Sequence, residues 1–145
     1  MNRFRTTALL AALVALACSC SGQKTNIRLA SDYQTLPMPS FMAQDASRSG
    51  QLPKFAQIRV YEMSKGCQLP NCPIVWDVVV PEDHSPTEFV YGGFPGFGSQ
   101  TVISAQPLQP DRRYLLMTLP SQFGDRSGGG EFHFRVSSEG EVIAD

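Results

Sequence analysis

The feature that most constrains this chain is a series of short period-two segments after residue 55, with turn residues between them. Ala56, Ile58 and Val60 alternate with Gln57 and Arg59. In Ile74–Val80, the residues Ile74, Trp76, Val78 and Val80 share one face, and Pro81 ends the run. Thr87–Tyr91, Thr101–Ser104 and Tyr114–Leu119 follow, then Phe132, Phe134 and Val136 alternating with His133 and Arg135, and finally Val142-Ile143. Period-two alternation is the mark of strands with one buried face. No window after residue 55 carries a helical apolar stripe free of Pro and Gly. Seven short strands in about ninety residues predict an all-β, antiparallel β-sandwich over residues 55–145.

One local pattern makes the expectation more specific. Leu108-Gln109-Pro110-Asp111-Arg112-Arg113-Tyr114 has the form Leu-x-Pro-x-x-x-Tyr. It resembles the start of the sixth strand of fibronectin type III domains. There the Tyr hydroxyl bonds back to upstream backbone as a tyrosine corner. The resemblance covers roughly Pro73 to Val136 and implies structural roles for Leu108, Pro110 and Tyr114. It also implies an immunoglobulin-like sandwich with Trp76 as its core Trp. The segment Ala56–Met63, the cysteine loop before Trp76 and an extension over Glu139–Asp145 after the last strand are additions to that pattern.

The start of the chain has a different character. Arg3 and Arg5 precede an apolar run, Thr6–Ala17, that ends in small residues. A charged start, a short apolar stretch and a small-residue end are the parts of a secretory signal. Twelve helical residues reach only about 18 Å, short of a bilayer core of roughly 30 Å. Residues 1–17 are therefore read as a signal peptide rather than a membrane span. Ala15-Leu16-Ala17-Cys18 resembles the lipobox of bacterial lipoproteins, although Ala15 stands where that family prefers Leu. The resemblance implies cleavage before Cys18 and lipid on its thiol. It also implies outer-membrane rather than inner-membrane residence, because residue 19 is not Asp. The same residues fit ordinary secretory cleavage, and Cys20 is a second lipid candidate. As a whole the chain resembles small bacterial lipoproteins with an immunoglobulin-like domain, a likeness that implies a membrane-anchored protein facing the periplasm.

Between the two parts, residues 18–54 are poor in large apolar side chains and rich in Ser, Gln, Thr, Pro and Gly. On composition they are expected to form a flexible linker, about 30–35 Å long as a coil. One island, Tyr33–Met42, is expected either to dock on the domain as an extra edge strand, the preferred reading, or to bind a partner in extended form.

Charge narrows the partners. Cleavage after residue 17 removes Arg3 and Arg5 from twelve basic side chains, leaving ten against thirteen acids, a net charge of −3. No basic run exists, so no nucleic-acid partner is expected. Cys67 and Cys72 flank a Pro-Asn turn, and an exported chain meets an oxidising compartment, so they are expected to form a disulfide. Zinc is the alternative, with His84 and His133 as the available partners. No metal and no cofactor is expected. No residue argues for catalysis either. Asp83-His84-Ser85 are sequence neighbours without a nucleophile turn, and Gly128-Gly129-Gly130 lacks the Lys-Ser/Thr of a phosphate loop.

The segment least like plain scaffold is Tyr91-Gly92-Gly93-Phe94-Pro95-Gly96-Phe97-Gly98. Either its rings fold back as a lid over the sandwich end, the preferred reading, or Tyr91, Phe94, Pro95 and Phe97 form an exposed contact loop. The expected function is a non-catalytic binding or accessory module of the envelope with a protein or glycan partner. A glycan- or peptidoglycan-binding module and a small hydrolase using His84 or His133 are the alternatives.

Overall fold

The computed structural model describes residues 24–47, 50–121 and 129–145. Residues 1–17, expected to be a signal peptide, and the lipid-site candidates Cys18 and Cys20 lie outside them. All seven anticipated strands are present: β4 (Gln57–Glu62), β5 (Ile74–Val79), β6 (Glu88–Val90), β7 (Gln100–Ile103), β8 (Arg113–Leu119), β9 (Gly130–Val136) and β10 (Glu141–Ala144). Three more precede them: β1 (Thr25–Leu29), β2 (Gln34–Thr35) and β3 (Ser40–Asp45).

The strands form two antiparallel sheets, one ordered β1-β3-β6 and the other β2-β10-β9-β8-β4-β5-β7. Their inner faces bury a common core, as expected of a β-sandwich compatible with an immunoglobulin-like domain. Alternation sets which side chains enter it. Ile58 and Val60 of β4, Trp76 and Val78 of β5, Leu116 of β8 and Phe134 and Val136 of β9 are all buried there.

The first three strands correct the linker reading of residues 18–54. β1 pairs with β3 from Thr25↔Asp45 to Leu29↔Phe41, and β3 pairs with β6. Without β3 the smaller sheet has no centre. Phe41 is completely buried, with ring centroids 5.9 Å from Phe89, 6.0 Å from Phe132 and 5.4 Å from Phe134. The Tyr33–Met42 island does dock. It supplies both an edge strand, β2 against β10, and the start of the central strand β3. Composition misled here because a single large residue, Phe41, covers much of the smaller sheet's share of the core.

Cys67 and Cys72 form a disulfide with their Cα atoms 5.2 Å apart. It closes the loop between β4 and β5. With Tyr61, Leu115, Met63, Ile74 and Met117 it makes a second, smaller apolar cluster. This cluster lies on the outer face of the larger sheet, because Tyr61 and Leu115 stand opposite each other and alternate with the inward residues Val60 and Leu116.

Candidate functional site

The Gly-rich segment connects β6, an edge of the smaller sheet, to β7, an edge of the larger one. Tyr91 fixes its start. The ring is 2 % exposed and meets Trp76 edge-on at 5.3 Å. Its hydroxyl donates to the Gln106 carbonyl at 2.6 Å, with the Val75 carbonyl 3.2 Å away. Burial raises the Tyr91 pKa well above the ordinary phenol value, and the charge of Tyr114 adds to the rise.

Two glycines then set the path. Gly92 has φ +72°, and a Cβ there would sit 2.9 Å from the Ala105 Cβ. Gly98 has φ +82°, and a Cβ there would sit 2.9 Å from the Pro81 Cγ. Both positions need left-handed backbone and close approach, which glycine alone supplies without strain. Amide bonds from Gly93 to the Val90 carbonyl (2.9 Å) and from Ser99 to the Gly96 carbonyl (3.2 Å) tighten the turns. The segment is thus clamped at both ends.

Between the clamps the rings point outward. Phe94 is 72 % exposed and Phe97 98 %, while Pro95 is half-buried. The lid reading therefore holds for Tyr91 and fails for Phe94 and Phe97. Tyr91 and Phe89 already pack against Trp76, and the turns at Gly92 and Gly98 carry the intervening residues away from the core. Val79, Val90 and Val102, on or next to the same two edge strands, are also exposed.

The remaining sequence candidates are structural or dispersed. Trp76 is fully buried. Tyr114 is buried and its hydroxyl accepts the Gln109 amide at 2.8 Å, the hydrogen bond of a tyrosine corner. Leu108 is buried beneath that turn, and Pro110 is exposed on it. The Ser85 hydroxyl accepts the Phe55 amide at 2.8 Å and sits 2.7 Å and 2.9 Å from the Phe55 and Glu82 carbonyls. His84 pairs with Asp83 at 3.1 Å on the surface, which holds the Asp83 carboxyl below its ordinary pKa. His133 stands on β9 opposite Leu115. Among the described residues, no group of three or more His, Cys, Asp or Glu is placed to share a metal ion.

One constellation was not singled out in the sequence. Asp77, buried on the outer face of the larger sheet, accepts Gln57 Nε2 at 2.6 Å and Arg59 Nε at 3.0 Å, with Arg59 Nη2 at 2.8 Å. Register makes the pair, since Arg59 and Asp77 face each other across β4 and β5. Burial pulls the Arg59 pKa down. Hydrogen bonds to Tyr61 and Asp77 and the charge of Asp77 more than offset it, so the guanidinium is held charged. The available signal was an acid inside the apolar run Ile74–Val80. Its partners satisfy it internally, so the cluster reads as structural. The exposed Phe94–Phe97 loop is left as the candidate site.

No protein-family model matches the chain, and no curated protein or solved structure matches it significantly.

Proposed function

We propose that the protein is an envelope lipoprotein, held to the outer membrane through lipid on Cys18, whose sandwich is a non-catalytic binding or accessory module. The observation that carries this reading is a pair of exposed rings, Phe94 and Phe97, on a loop clamped at both ends. An exposed apolar loop costs solubility, and the turns at Gly92 and Gly98 direct its rings away from the core, which suits a preformed contact surface. The signal-like residues 1–17 and the lipobox-like Ala15–Cys18 support export and anchoring.

Two measurements test the proposal. Intact mass of the mature protein from detergent-extracted envelopes is expected to start at Cys18 and include acyl groups. A photo-crosslinking residue at position 94 or 97 is expected to capture an envelope component that the same probe at exposed Glu139 does not. An unmodified mass removes the anchor, and identical crosslinks from the two positions remove the contact surface. The exposure of the same two rings also suits stacking on sugars. Unchanged sedimentation with purified cell wall after F94A and F97A would count against that second reading.

A further inference from the structure

We infer that the surface carried by Phe97 is occupied by the lipid bilayer itself, as a second membrane contact beside the anchor. The inference rests on the Cys18 anchoring proposed above and adds which end of the domain faces the membrane. The first strand begins at Thr25, so only Ser19–Lys24 separate it from Cys18. Those seven Cα steps reach at most about 25 Å. The longest strands have seven residues, which makes the sandwich roughly 23 Å tall. A tether whose full reach is about the height of the domain, and shorter still unless it is pulled taut, holds the Thr25 end toward the bilayer.

Strand register shows what else lies at that end. The Thr25 amide bonds the Gly129 carbonyl at 3.1 Å, Gly130 pairs with Thr118, and the next residue, Leu119, pairs with Gln57. Gln57 pairs with Val79, and Val79 with Gln100. Gly98, two residues before Gln100, sits against Pro81, two residues after Val79. Phe97, 98 % exposed, is therefore at the tethered end. So is Leu52, 65 % exposed, in the segment leading to Ala56, whose amide bonds the Leu119 carbonyl. Exposed Lys24 and Lys54 belong to the same end, Lys24 preceding Thr25 and Lys54 lying two residues before Ala56. Rings and aliphatic tips that enter the headgroup layer, with lysines reaching to its surface, suit an interfacial contact. Glu82 and Asp83, which follow Pro81, and exposed Glu131, next to Gly130, add negative charge at the same end, so the contact relies on apolar insertion rather than on attraction to anionic lipid. Weak insertion suffices, because the anchor keeps the local lipid concentration high.

The opposite end supplies a control. Tyr33, 72 % exposed, lies between the ends of β1 and β3 that pair as Leu29↔Phe41, away from Thr25. The test uses acylated protein from envelopes, checked by intact mass. It is reconstituted in phosphatidylethanolamine–phosphatidylglycerol vesicles containing a lipid quencher at a shallow acyl position. Buried Trp76 gives the background. F97W is expected to add emission that is blue-shifted on vesicles and quenched about twofold, while emission added by Y33W stays unquenched. Acylated F97W protein with no shift and no quenching, or quenching equal at the two positions, overturns the inference and leaves the anchor standing. An unacylated mature mass overturns both. Concentration-dependent self-association that F94S/F97S abolishes assigns the surface to a second copy and also overturns it.

Discussion

Tyr114 and Tyr91 do different work with the same functional group. Tyr114 accepts the Gln109 amide, tying the turn before β8 to the strand it feeds. Tyr91 donates to the Gln106 carbonyl and closes the core over Trp76. Replacing Tyr114 with Phe leaves the ring in place and the Gln109 amide without its partner. This is expected to cost about 1–2 kcal/mol, read as a lower urea midpoint at unchanged m-value. Burial raises both phenol pKa values above the model-compound value of 10.0. For such groups the folded state holds protons that the unfolded chain releases. Their contribution to stability is complete below the unfolded pKa near 10 and is lost as pH rises toward the folded values. Stability is therefore expected to fall with pH above about 10. Y91F is expected to flatten that slope in urea titrations at alkaline pH, and an equally steep slope in Y91F and wild type would assign the loss to other groups.

At the scale of elements, the β4–β5 connection shows what a small crosslink can do. The Cys67–Cys72 loop spans few residues, so chain entropy predicts only about 2 kcal/mol from the bridge. Cys72 also packs with Tyr61 and Leu115 on the outer face. The C67S/C72S protein is expected to fold, with a loss of about 2–3 kcal/mol in chemical denaturation; a loss below half a kcal/mol would show that the loop is held by packing alone. How much of each element was legible follows the same physics. β4, β5 and β9 were readable because their alternation is dense in Val, Ile, Phe and Trp. β1 carries the same alternation, Thr25, Ile27 and Leu29 against Asn26 and Arg28, but the polar residues around it masked the pattern when the segment was judged by composition. The Arg59–Asp77 pair was hidden for another reason: it exists only through cross-strand register, which no local pattern encodes. The Phe94–Phe97 loop was visible as a composition, while its direction depended on φ at Gly92 and Gly98 and on Tyr91 already filling the site over Trp76.

For the whole molecule, the decisive question is where the folding unit begins. If residues 18–54 were only a tether, a chain starting at Phe55 would fold as well as one starting at Cys18. The sandwich argues otherwise. β3 is the middle of a three-stranded sheet, and its loss would leave β6 unpaired and expose Phe89, Phe132 and Phe134 where Phe41 now covers them. Truncating one buried Phe typically costs about 3–5 kcal/mol, comparable with much of the ~5–15 kcal/mol that holds a small domain together. Removing β1, β2 and β3 together goes well beyond that. Deleting residues 19–23 is expected to leave the thermal midpoint within a degree or two of a chain that keeps them, since that deletion stops short of β1. Deleting 19–47 is expected to abolish the cooperative transition and the near-ultraviolet circular dichroism of Trp76. F41A, in the otherwise intact chain, is expected to fall between the two. A cooperative transition at the original midpoint in the 19–47 deletion would mean that the seven-stranded sheet is stable alone. The domain would then begin near Phe55, and under the proposed Cys18 anchoring the residues before it would be long enough to let it leave the bilayer.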